Sequence, residues 1–459
     1  MADPGCLNSK QLCRNRVYLC RGILEDHSTF LAKMEWGRLG HWTYIDRYTP
    51  EKTEPVPIYL FYLLLGHIAS WAGMPTVWVF HLARSVLGAV ALILWWQFCC
   101  EFTEHPKTAF VLGAWMWFGV FGNMATVFGQ TRMSYTGLLA VPHYIVDMIA
   151  VIMLFCGYLK ERALYSNAGG IGLGVVHPFL LALFLPVVLI HAGITGKIKA
   201  GIHSCLWAGL SAVPFVLPLF IAYQKVEWLK VWREQTACPF SLAGFELVYM
   251  VILTIALLLV GITALKSSGR LKKLAGVWIV LAVALALLTP IPNKREFTSL
   301  LSLPVGILTA PVVASLANRA SKPYLMQAAL VVLLCLPNIG STLSVFVPDP
   351  QWAYIPKGLV EGFKWLEANS LPDDVAVCSW ETGNYLPMYA TCPRPWIGHS
   401  RETLFFTEKE KQAKLFFESK QTLPVQWAVI NKKTGLYPHL KEAPAFENEV
   451  VVIWRTNNG

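Results

Sequence analysis

The sequence predicts a polytopic α-helical membrane protein with a small C-terminal α/β domain, and three observations carry that prediction. Of 459 residues, 55 % are hydrophobic and 14 % charged, where soluble domains carry about 25 % charge; mean hydropathy is +0.48. Apolar windows long enough to cross a bilayer, at about 20 residues each, recur along most of the chain. From about residue 350 onward, charge rises and the apolar runs shorten to strand length. This balance excludes a disordered chain, a secreted disulfide scaffold and an ordinary cytosolic enzyme.

Eight windows read as spans: 76–98, 109–127, 135–158, 201–223, 243–265, 274–290, 298–317 and 324–346. Segment 170–195 is also apolar, but His177-Pro178 interrupts it, and proline removes a helix hydrogen bond and clashes with the preceding turn. The basic loops decide how it runs. Lys160/Arg162, Lys197/Lys199, Lys266/Arg270/Lys272/Lys273 and Arg319/Lys322 mark cytoplasmic sides. A single span over 170–195 would put the first cluster opposite the other three. Two half-helices that enter and return near His177-Pro178 put all four on one side, so a broken hairpin is expected there. The net charge of +10 is then a topology signal and not a nucleic-acid footprint. Segment 25–55, loops 128–134, 224–242 and 291–297, and the C-terminal segment all face the non-cytoplasmic side together.

Three parts follow: residues 1–55 as an N-terminal segment and outer loop, 56–348 as the membrane domain, and 349–459 as an outer α/β domain. Within the last, Asp374–Cys378, Trp427–Asn431 and Glu449–Trp454 read as strands, and 357–369 and 407–419 as helices. Residues 1–24 hold Lys10, Arg14, Arg16 and Arg21, with no apolar run able to span or to act as a signal peptide. Eleven Cys form no C-x-x-C pair and read mostly as small hydrophobes; Cys378 and Cys392 could pair only in an oxidising compartment.

Polar residues in this setting are the functional candidates. Glu25-Asp26-His27 opens a charged stretch that continues through Lys33, Glu35, Arg38, His41, Asp46 and Glu51. Adjacent carboxylates at a membrane entrance suit a general base, and a solvated loop is the alternative. Lys294-Arg295, in a short loop between spans, suits a phosphate clamp. His143 and Asp147 lie four apart on one helix face, and an ionisable residue at membrane depth is a functional candidate. Arg84, Arg132 and His177 are further candidates to line a polar cavity. No metal-ligand spacing appears; a divalent ion is possible but not indicated, and no cofactor is expected.

Glu25-Asp26 in a first outer loop is followed by Pro57-Ile-Tyr-Leu-Phe-Tyr-Leu-Leu-Leu-Gly66 and His81-Leu-Ala-Arg-Ser-Val-Leu-Gly88. Pro142-His143, Val176-His177-Pro178-Phe179, Lys294-Arg295-Glu296-Phe297, Glu381-Thr-Gly-Asn-Tyr-Leu-Pro387 and Trp396-Ile-Gly-His-Ser-Arg-Glu-Thr403 come after. In order and context these segments resemble the GT-C class of membrane glycosyltransferases, which includes the protein O-mannosyltransferases and oligosaccharyltransferases, and in particular its bacterial and archaeal branches. The resemblance covers about residues 24–456. It implies inverting transfer of a sugar from a polyprenyl phosphate or diphosphate to an acceptor on the outer face of a plasma membrane, the acceptor being unspecified. Asp26, with Glu25, would be the base and Lys294/Arg295 the phosphate clamp. The family's first membrane helix, which precedes the acidic pair, has no counterpart in residues 1–24. A transporter or lipid flippase is the main competing expectation, and an inactive scaffold the third.

Overall fold

The computed structural model describes residues 27–117, 141–236, 245–289, 294–345, 355–434 and 443–456. The chain divides into two compact units. One comprises residues 1–80, 219–237 and 349–459; the other comprises 81–218 and 238–348. This differs from the three-part division at 55 and 349: the first outer segment and the C-terminal domain belong to one unit, together with a short excursion near residue 230.

Sixteen helices are described, in chain order: α1 (27–38), α2 (Leu60–Trp71), α3 (Thr76–Phe102), α4 (Pro106–Trp117), α5 (Pro142–Leu159), α6 (Ala163–Val176), α7 (Leu181–Ile194), α8 (Ile198–Lys225), α9 (Glu227–Thr236), α10 (Phe245–Leu265), α11 (Arg270–Leu288), α12 (Ser302–Ala317), α13 (Pro323–Val345), α14 (Lys357–Asn369), α15 (Trp380–Tyr389) and α16 (Phe406–Phe417). Among the described residues, five stretches are long and apolar enough to cross a membrane: Thr76–Phe102, Pro142–Leu159, Ile198–Lys225, Arg270–Leu288 and Glu296–Ala317. They cover five of the eight expected windows. The windows at 109–127, 243–265 and 324–346 are helical where described, in α4, α10 and α13, but each runs into residues outside the described set.

In the helical unit, close helix approaches depend on small residues, the usual solution where lipid cannot drive helices together. A Cβ added at Gly170 of α6 would stand 2.1 Å from the Ala208 carbonyl of α8, and Ser166 meets Ser204 at 2.8 Å between hydroxyls. The successive meetings 166 with 204, 170 with 208 and 174 with 212 show α6 and α8 running parallel. Helix α7 then comes back: Ala192, near its end, meets Gly201 at the start of α8. The chain breaks at Pro178 within the expected segment 170–195, and the helices on either side, Ala163–Val176 and Leu181–Ile194, have 14 residues each, the first beginning seven residues before that segment.

The four basic clusters share one end of this unit. Lys160 Nζ pairs with Glu101 at 2.5 Å, His191 Nε2 meets the Arg270 carbonyl at 2.9 Å, Lys197 follows α7 directly, and Gln327, five residues after Lys322, donates to Thr108. The core between the ends is continuous, with Trp95, Phe155, Tyr158, Phe184, Val187, Trp278 and Leu303 all buried.

The other unit contains a five-stranded sheet: β1 (Val375–Val377), β2 (Arg394–Pro395), β3 (Trp427–Asn431), β4 (Phe446–Glu447) and β5 (Val451–Arg455), in the order β2-β1-β3-β5-β4. The first three neighbours are parallel and β3-β5-β4 antiparallel. Side chains alternate across a strand with period two. Ala376, Cys378, Trp427 and Val429 therefore pack with Leu359, Phe363 and Leu366 of α14 and Leu386 of α15. Val375, Val377, Ala428 and Ile430 pack on the opposite face with Ala413, Phe416 and Phe417 of α16. Both faces being covered explains why β1 and β3 are apolar throughout. A further cluster joins Tyr44, Val56, Ile58 and Leu63 to Trp228 and Leu229 of α9 and to Leu404. Cys378 and Cys392 are free thiols.

Candidate functional site

Pro178 sets up a buried polar pair in the helical unit. The residue before a proline is pushed out of the α region, and His177 accordingly has φ −133° and ψ 77° at the end of α6. A short 3-10 turn, Pro178–Leu180, leads into α7. His177 Nδ1 lies 2.5 Å from Asp147 Oδ2. Asp147 is 1 % exposed and the His177 side chain 18 %. His143, one turn before Asp147 on α5, places its ring 5.1 Å from that of His177, and the Tyr144 ring lies 5.5 Å away. Asp147 Oδ1 is buried without a hydrogen-bond partner among the described residues.

The 3-10 turn Lys294–Thr298 comes to the same place. Phe297 sets its ring edge-on to Phe179, 5.9 Å away, and the charge of buried Glu296 acts on both Asp147 and His177. An imidazole held through Nδ1 by a carboxylate has its orientation and tautomer set by that bond. Its other ring nitrogen, Nε2, is the one turned away from that bond.

The other sequence candidates are placed less closely. Lys294 and Arg295 open the turn, with side chains outside the described set; Glu25, Asp26 and Arg132 also lie outside it. His27 stands on α1 with its ring 5.5 Å from Phe80. Arg84 is half-buried on α3. Among the described residues, no group of three or more His, Cys, Asp or Glu is arranged to hold a metal ion.

A second polar cluster, in the unit with the sheet, brings Lys33 and Glu51 of the charged stretch singled out in the sequence against Glu402 and Lys409, partners the sequence reading did not assign them. The stretch read as an outer charged loop is in part deeply buried: Lys33 is 1 % exposed and Asp46 0 %. Lys33 Nζ donates to Glu402 Oε1 at 2.9 Å and sits 3.7 Å from the centre of the Tyr59 ring; the Tyr59 hydroxyl donates to the same oxygen at 3.2 Å. Lys409 Nζ donates to Glu51 at 2.5 Å and to Thr49 Oγ1 at 2.8 Å. Burial, with the neighbouring Glu402 charge, pushes the Asp46 carboxyl well above the usual carboxylate range, and burial lowers the Lys409 ammonium. Nothing local in the sequence signals the Lys33–Glu402 pair, whose members are 369 positions apart. No family model matches the chain, and no curated protein matches it.

Proposed function

We propose that the chain is a membrane glycosyltransferase of the GT-C kind, with eight spans and a broken hairpin, moving a sugar with inversion from a polyprenyl-phosphate carrier to an acceptor on the non-cytoplasmic face. The observation that carries this reading is the convergence of the Asp147–His177 pair with the turn that begins at Lys294 and Arg295. When the bond between sugar and phosphate breaks, negative charge grows on the leaving phosphate, and preorganised donors there lower the barrier. Lys294, Arg295 and the Nε2 side of His177 supply such donors, while Tyr144, Phe179 and Phe297 offer an apolar wall to an isoprenoid chain. Asp26, with Glu25 beside it, is assigned the acceptor-activating base from the sequence pattern. The end that carries the four basic clusters is the cytoplasmic one in this reading, and residues 350–459 lie outside a plasma membrane. A transporter or flippase would draw on the same buried pair.

Purified full-length chain with a labelled polyprenyl-phosphate hexose and a membrane extract as acceptor pool provides the test. Arg295→Ala is expected to weaken donor binding by the worth of a truncated buried charge contact, about 2–5 kcal/mol, while Arg319→Ala leaves it unchanged; equal effects would reduce Arg295 to a membrane anchor. Asp26→Asn is expected to abolish turnover with donor binding intact. Full activity in both Asp26→Asn and Glu25→Gln removes the enzyme assignment and puts the transporter reading first.

A further inference from the structure

A cavity of about 270 Å³ opens at the end of the helical unit where the basic clusters gather. Phe102, Leu271, Ile307 and Pro311 give it an apolar wall, and Glu101, Glu104, His105, Arg270 and Lys272 supply its polar lining. The charges in that lining do not cancel. Glu101 is taken by Lys160 at 2.5 Å, and Glu104 faces Lys272 at 3.7 Å, too long for a direct hydrogen bond. Arg270 Nε and Nη2 are buried without a hydrogen-bond partner among the described residues. Guanidinium donors kept from water with no acceptor cost more than an ordinary hydrogen bond returns.

Arg270 is nonetheless held in place. His191 is fully buried, and its Nε2 lies 2.9 Å from the Arg270 carbonyl, which can only accept, so Nε2 carries the proton. Nδ1 is then the acceptor for the Tyr158 hydroxyl, 2.8 Å away. The Tyr158 ring in turn lies 5.5 Å from the Arg270 guanidinium carbon, an attraction for the cation that supplies no acceptor to its N–H groups. Helix α11 itself starts on Gly269, with no side chain to cap the N–H groups of its first turn. The Lys272 stem folds back over that glycine, where an added Cβ would stand 3.3 Å from Lys272 Cδ.

We propose that this cavity binds a phosphate group, carried by the headgroup of an acidic phospholipid or by a soluble phosphate ester, through Arg270, Lys272 and the first turn of α11. The oxygens of one phosphate can meet a guanidinium, an ammonium and backbone N–H groups together. Glu104, 72 % exposed, gives up its loose hold on Lys272 at little cost. Arg270 also opens a stretch apolar enough to cross a membrane, which sets the cavity at headgroup depth, where basic pockets between membrane helices suit anionic lipids. The site is separate from the Lys294–Arg295 turn, which follows the opposite end of α11. Nineteen helical residues at about 1.5 Å each put roughly 28 Å between those ends.

Full-length chain purified in detergent is offered dioleoyl phosphatidic acid or dioleoyl phosphatidylcholine, and retained lipid is counted by native mass spectrometry. Wild type is expected to prefer the phosphatidic acid, and Arg270→Gln to lose about tenfold in that affinity, the weight of one charged hydrogen bond. Lys272→Gln is expected to lose less, and serves if Arg270→Gln fails to fold. Arg319→Gln, in an exposed basic loop at the same end, is expected to bind as wild type does. Excess glycerol 3-phosphate separates the two sources: a soluble ester is the ligand if it displaces the lipid, and the phospholipid is if it does not. Unchanged affinity in both Arg270→Gln and Lys272→Gln overturns the site. So does an equal loss in Arg319→Gln, or a wild type that neither prefers phosphatidic acid nor binds glycerol 3-phosphate.

Discussion

At the scale of the residue, a single proline accounts for this buried polar pair of the helical unit. Pro178 takes His177 out of the helix and leaves its ring to meet Asp147. The pair is buried enough that neither member is dispensable alone. His177→Leu is expected to leave the Asp147 carboxyl uncompensated and to cost about 3–5 kcal/mol, the usual result of breaking a buried pair from one side. The double change Asp147→Asn with His177→Leu should recover part of that loss. Thermal unfolding in detergent of wild type, His177→Leu, Asp147→Asn and the double mutant measures both effects, and a fully additive double mutant would mean that the two residues do not act on one another. The helical spacing of His143 and Asp147 was legible in the sequence, because residues four apart share a face. That His177 is their partner was not, since it reaches them from another helix.

At the scale of the element, the helices of the sheet-bearing unit meet through missing side chains. A Cβ added at Gly66 of α2 would stand 2.1 Å from the Met34 carbonyl of α1, and one at Gly37 would stand 2.3 Å from the Leu63 carbonyl. These two glycines let the helices touch backbone to backbone, which holds Lys33 at the depth where it meets Glu402. Gly66→Val is therefore expected to push α1 off α2 and destabilise this unit by about 1–3 kcal/mol, the cost of overpacking a tight contact. Hydrogen exchange confined to residues 27–71 would report it, and wild-type protection there would mean that the approach has slack. Boundaries in the C-terminal domain were legible: the expected helix over 357–369 is α14, and Trp427–Asn431 is β3. Strand apolarity and amphipathic period are local properties. The strand order was not legible, because pairing joins β1 to β3 across about fifty residues, a distance over which local pattern carries no information.

At the scale of the whole molecule, the basic loops gather at one end of the helical unit because the chain turns back at His177. Cysteines introduced singly into a cysteine-depleted chain test the membrane orientation. A label that cannot cross the membrane is expected to reach the tail beyond residue 350 in intact cells and to miss loop 266–273. The reverse pattern would invert the orientation and move the Asp147–His177 end to the cytoplasm.

The amino-acid sequence by itself determined the class of this protein: helices too apolar for water, a break at His177-Pro178, basic loops on alternate connections and a strand-bearing tail. Each of these is set by neighbours within a few turns of chain, through burial of apolar surface, proline geometry or charge at a membrane face. Only the tertiary structure decided that the first outer segment and the tail form one unit, that Lys33 and Asp46 lie buried with Glu402, and that Asp147 pairs with His177. Those outcomes depend on residues brought together from 30 to 369 positions apart. A charge looks equally solvated in sequence whether it ends at the surface or in the core, and what separates the two is whether a partner folds onto it.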